Sequence, residues 1–128
     1  MDCPDCGAPA VSFAVPPDLR ECVPESATAA ALCTGCLRLH PAEDPDSDPD
    51  FGSVSDGFPQ GNAAVPMALL VGLLSSLALY SEEIATLVGR VEAAGTDPLL
   101  VLDRLAAAPD IDPAVDIERR RRQLEQTL

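Results

Sequence analysis

Four cysteines stand in two pairs, Cys3-Pro4-Asp5-Cys6 and Cys33-Thr34-Gly35-Cys36, each with two residues between the thiols. Two intervening residues let one tight turn aim both sulfurs at a single ion, and a second such turn completes a tetrahedron. Pro4 presets φ in the first turn, and Gly7 can take the positive φ that turns backbone N–H groups towards sulfur. The expected ligands are therefore Cys3, Cys6, Cys33 and Cys36. They would hold one Zn2+ per chain, with iron in a rubredoxin-like site as the alternative, because the same thiolates suit both metals. Four thiolates leave no open position for water or substrate, so the predicted role of the ion is structural.

Cys22 has no paired neighbour and reads as a small buried hydrophobe. His40 follows Cys36 by four residues and could replace a thiolate, but with four cysteines already paired it is expected on the surface. Between the pairs, Val11 to Val15 alternates like a short strand, and Ala27 to Leu32 suits an antiparallel partner leading into the second turn. Residues 1–42 are thus predicted to form a zinc ribbon of short antiparallel strands and two cysteine turns.

The CPDCG opening resembles the CPxCG-type small zinc-finger proteins of halophilic archaea. The wider layout is similar to a haloarchaeal zinc-ribbon family of unknown function, with a ribbon, an acidic stretch, PMALLVGLLSSLALY and a terminal Arg-rich helix. That resemblance covers nearly the whole chain and implies the same four cysteine ligands, but no activity. The second pair departs from the pattern. Cys33-Thr34-Gly35-Cys36-Leu37 lacks the Pro and the trailing Gly, so its turn is expected to be less rigid.

Residues 43–61 (EDPDSDPDFGSVSDGFPQG) are dominated by Asp, Pro, Ser and Gly and are predicted to be a flexible acidic linker. The alternation Asp44, Asp46, Asp48, Asp50 does not make a calcium loop, since Pro45 and Pro49 interrupt it and the closing Glu is missing. Residues 62–128 are rich in Leu and Ala and are predicted to be an all-helical domain. Leu70, Leu73, Leu77, Tyr80, Ile84, Leu87 and Val91 keep a three-four spacing, which predicts one long helix of about 29 residues from Pro66 to Ala94. Gly95 would end it. Thr96 or Asp97 would cap a second, shorter helix, and Asp112 and Pro113 would open a third.

A helix apolar on most faces needs cover, and two short helices cannot supply it all. The row Ala64, Ala68, Gly72, Ser76 would let another backbone approach closely. A homodimer through the long helix is therefore expected, together with an unknown protein partner. Gly57 to Ser81 is uncharged for 25 residues, but polar residues dilute it and no basic cluster flanks it, so membrane insertion is disfavoured.

The chain of 128 residues has 21 acidic and 8 basic residues, a net charge of −13, and every basic residue is Arg. Dense carboxylates without Lys suit a salt-rich cytoplasm, where repulsion is screened over about 3 Å at 1 M ionic strength. Such a surface disfavours nucleic acid. The Arg119 to Arg122 run is expected to complement the helix C-terminus and to pair with Asp116 and Glu118. No nucleophile elbow, phosphate loop or HExxH motif is present, and a single His gives little general-base chemistry. The predicted function is a non-enzymatic, cytoplasmic zinc-binding interaction or scaffold protein. Its alternatives are a ribbon that binds nucleic acid through Arg20, Arg38 and Phe13, and an iron electron carrier.

Overall fold

The computed structural model describes residues 2–127, with an antiparallel three-stranded meander leading into four α-helices. Strands β1 (Ala10–Ala14), β2 (Ala29–Cys33) and β3 (Leu39–Ala42) lie in sequence order, with Phe13 opposite Ala30 and Ala31 opposite His40. The first two strands fall within two residues of their predicted positions. The third was not predicted: four residues containing His40 and Pro41 are too few to show alternation, and an edge strand tolerates the missing proline donor. All five residues of β2 are buried, because the strand is covered on both faces as well as paired on both edges. Its alanines make room for that.

The helices are α1 (Ala64–Leu73), α2 (Ser81–Ala93), α3 (Pro98–Ala107) and α4 (Ile117–Thr127). The single long helix is a correction: α1 tightens into a 3-10 turn over Leu74–Ser76, and the chain turns through Leu77–Tyr80 before α2 begins. Two adjacent serines are weak helix formers. The carbonyl of Ser76 accepts from both Leu79 and Tyr80, closing the turn. The three-four spacing survives the break because α2 packs against α1, so both helices point their apolar residues into one core.

Nearly every residue of α1 is buried, as suits a helix with apolar residues on all faces. Its cover comes from the same chain: α2, β3 and the 3-10 turn Pro17–Cys22 all pack against it. A Cβ on Gly72 would lie 2.5 Å from the Cβ of Leu39, so the small-residue row receives the sheet. Leu70, Leu73, Leu77, Ile84, Leu87 and Val91 are also buried. Both faces that seemed to require a second copy are therefore covered within one chain.

The stretch 43–61 is not a free spacer either. Phe51, Val54 and Phe58 enter the core, with Phe51 5.4 Å from Phe13 and stacked at 5.7 Å on Phe58. The N–H of Asp46 donates to the carbonyl of Ser12, pairing part of the outer edge of β1. One buried cluster runs from Val11 to Leu124 and takes residues from all three predicted segments.

Helix ends follow the predicted chemistry in two cases. Gly95 ends α2 at φ 89°, with Thr96 N–H on the Val91 carbonyl and Gly95 N–H on that of Glu92, a Schellman motif. The Asp97 carboxylate caps α3, accepting from Leu99 and Leu100 at 3.0 and 3.4 Å. The last helix departs from expectation. It starts at Ile117 under Asp116, whose Oδ1 accepts from the Arg119 N–H, and not at Asp112. Within the Arg run, Arg121 pairs with Asp103 and Glu125, each at 2.6 Å, in place of Asp116 and Glu118. Among the described residues no helix is long and apolar enough to cross a membrane.

Candidate metal centre

The two cysteine turns have the same backbone construction. In the first, Cys3 N–H donates to the Ala8 carbonyl at 2.8 Å and Gly7 N–H to the Cys3 carbonyl at 2.9 Å. In the second, Cys33 N–H donates to the Arg38 carbonyl at 3.0 Å and Leu37 N–H to the Cys33 carbonyl at 3.2 Å. Each bond recurs thirty residues further along the chain. The N–H groups of Gly35 and Cys36 both reach the Cys33 sulfur at 3.3 Å, and those of Asp5 and Cys6 bond the Cys3 sulfur. Such donors stabilise thiolates over thiols.

Thr34 stitches the turns together, its N–H and Oγ1 both donating to the Pro9 carbonyl at 2.9 and 2.7 Å. Gly35 lets them close up: a Cβ there would sit 2.8 Å from the Ala8 Cβ and 3.4 Å from the Cys6 sulfur. As a result the Cys3 and Cys36 sulfurs lie 3.8 Å apart and those of Cys6 and Cys33 3.3 Å apart. All four fall within 4.8 Å of one another. Disulfide sulfurs would be about 2.05 Å apart, so these are free thiols. Four sulfurs at about 2.3 Å from a tetrahedral ion have edges of about 3.8 Å, so the donor set suits one.

Electrostatics favour the same conclusion. Burial raises the Cys3 thiol, yet the N–H groups of Cys6 and Asp5, with His40 and Cys33, outweigh it and hold Cys3 at about 6. Burial pushes Cys36 up to about 12, with its sulfur neighbours adding to the rise, and burial also raises Cys33. Without a cation, ionisation is favoured at Cys3 and resisted at Cys33 and Cys36. A divalent ion at the centre would remove that resistance, which is how metal binding couples to thiol ionisation.

The helical half reaches the second turn directly. Asp112 N–H donates to the Gly35 carbonyl at 2.8 Å and Ala114 N–H to the Cys36 carbonyl at 2.9 Å. Those two bonds hold residues 112–114 against the turn, which explains why α4 starts later than Asp112 and Pro113 suggested. The cluster is thus braced by a segment 77 and 78 residues further along the chain, as Asp112 bonds Gly35 and Ala114 bonds Cys36.

His40 stands closer to the cluster than spacing alone suggested. It sits on β3 with its side chain only 19% exposed, and its Nε2 lies 3.6 Å from the Cys3 sulfur and 3.4 Å from Asp5 Oδ2. Its position one strand beyond the second turn was the available signal, but the strand was not visible. Cys22 is buried in the core, away from the cluster, and burial followed by Glu83 and Glu21 raises its thiol. It behaves as the small hydrophobe expected.

With this cluster in view, comparison with known proteins adds one finding, a match over residues 2–128 to a family of unknown function, DUF6276. The chain belongs to that family. Neither a curated protein nor a solved structure matches it. The family therefore spans the whole centre, from the first cysteine turn to the Asp112–Ala114 segment that braces the second.

Proposed function

We propose that this member of DUF6276 is a non-enzymatic zinc-stabilised interaction protein, in which the ion fixes the ribbon so that its surface can meet another protein. The supporting observation is the four-sulfur cluster, whose two turns, closed on each other through Gly35 and Thr34, bring four thiols within 4.8 Å of one another, as a tetrahedral site would need. A set of that kind suits a structural ion, since nothing remains to bind and polarise a substrate. Zinc is proposed over iron for its redox inertness in such a role. Cys3, Cys6, Cys33 and Cys36 would hold it, and its contribution is folding free energy.

The setting we propose is a reducing, salt-rich cytoplasm of the kind the CPxCG resemblance implies, where thiols stay available and the net charge of −13 is screened. A homodimer is not needed to bury α1, so the partner proposed is a different protein. Thermal melts with and without a strong chelator test the structural role, alongside the visible spectrum of the purified protein. The proposal expects a colourless protein whose melting temperature falls sharply on chelation. A red protein with a reversible reduction would replace it with the iron carrier, and an unchanged melt would remove the structural ion altogether.

A further inference from the structure

Beside the four-cysteine cluster stands a second group of donors. The Cys3 sulfur, an Asp5 carboxylate oxygen and a ring nitrogen of His40 all lie within 4.8 Å of one another. They come from different places: the first turn supplies Cys3 and Asp5, and the β3 edge strand supplies His40. His40 Nε2 is 3.6 Å from the Cys3 sulfur and 3.4 Å from Asp5 Oδ2. A tetrahedral zinc with bonds of about 2.3 Å to sulfur and about 2.0–2.2 Å to nitrogen and oxygen has nitrogen–sulfur edges of about 3.6 Å and nitrogen–oxygen edges of about 3.4 Å. Both distances, which in the metal-free chain are a hydrogen bond to sulfur and an ion pair, equal the edges expected of two ligands on one ion.

We propose that Cys3, Asp5 and His40 form a second divalent-cation site, sharing the Cys3 thiolate with the four-cysteine centre. The inference rests on that centre being metallated. A divalent ion with four thiolates carries a net charge of −2, Asp5 adds another negative charge, and a second cation is drawn to that excess. The thiolate of Cys3 keeps lone pairs for a second bond. Asp5 is half-exposed, so the site is reachable from solvent. His40 also lines a cavity of about 310 Å³ with Val71, Ser75 and Val115, which gives water access to the imidazole. A mixed sulfur, nitrogen and oxygen set with an unfilled position suits Zn2+ or Co2+ and differs in kind from the closed tetrathiolate. The one competitor is Arg38, whose Nη1 lies 3.6 Å from the same Asp5 oxygen on a half-exposed side chain free to move aside.

Titration of the metal-free whole chain with Co2+ under reducing conditions tests this, following the sulfur-to-cobalt charge-transfer band and bound cobalt together. Wild type should bind a first equivalent tightly and a second at least about tenfold more weakly, the second shifting the charge-transfer band because Cys3 donates to both ions. His40→Ala and Asp5→Asn should still bind a first equivalent with its charge-transfer band and should lose the second. Asp5→Asn alters a half-exposed position and keeps the test alive should His40→Ala fold poorly. Ions held diffusely by the acidic surface would remain in both variants. A wild type that saturates at one equivalent, or variants that still take two with the band shift, would overturn the second site alone. Absence of the first charge-transfer step in wild type would instead remove the four-cysteine centre.

Discussion

Leu37 takes at the second cysteine turn the backbone conformation that Gly7 takes at the first, with φ of 63° against 79°. An L-residue costs roughly 1–2 kcal/mol in that region, and glycine does not. The second turn keeps its leucine because the side chain is buried in the core beneath the ribbon. What looked in sequence like a looser turn is one held in place by packing.

That relationship predicts an unusual order of variants. Leu37→Ala should lose about 2–5 kcal/mol through the vacated core space. Leu37→Gly removes the same side chain but relieves the strained backbone, so it should be the more stable of the two by about 1 kcal/mol. At Gly7 nothing lies within 4 Å of an added Cβ, so Gly7→Ala should cost roughly 1–2 kcal/mol from backbone strain alone. Chemical denaturation of the three metal-loaded variants would show the order, and a Leu37→Gly less stable than Leu37→Ala would refute it.

Phe51 provides a test of the acidic stretch. A residue in a solvated linker can be truncated at almost no cost, whereas Phe51 is packed between Phe13 and Phe58. Phe51→Ala should destabilise by about 3–5 kcal/mol. A denaturation midpoint equal to wild type would return the segment to a linker.

Gly72 separates packing within the chain from packing between chains. A side chain there meets Leu39 of β3, so Gly72→Leu should overpack the monomer by at least about 1–3 kcal/mol. Because the contact is intramolecular, the loss should be the same at every protein concentration. A loss that grows on dilution, with light scattering showing a dimer in wild type only, would restore the contact between copies.

The two cysteine turns were legible because two residues between thiols is a local rule, satisfied wherever the chain goes next. The first two strands, the Gly95 stop and the Asp97 cap were readable for the same reason. Misreadings arose where long-range contacts decide. The spacing from Leu70 to Val91 fits one helix or two helices packed on one core, and periodicity does not distinguish them. Phe51, Val54 and Phe58 were hidden by the Asp, Pro, Ser and Gly around them. Asp112 and Pro113 have good helix-opening chemistry, but the Gly35 and Cys36 carbonyls claim the N–H groups of Asp112 and Ala114. The brace that holds the second turn could not be seen from either end of the sequence alone.

The most direct test of the central claim, that the four sulfurs hold one structural zinc, is native mass spectrometry of wild type and Cys33→Ser after dialysis against a mild chelator. Cys33 is fully buried and receives the Gly35 and Cys36 N–H bonds that shape the second turn. Wild type should retain one zinc per chain, and Cys33→Ser should retain none. Stoichiometric zinc in Cys33→Ser, or a folded wild type that carries no metal, would contradict the account.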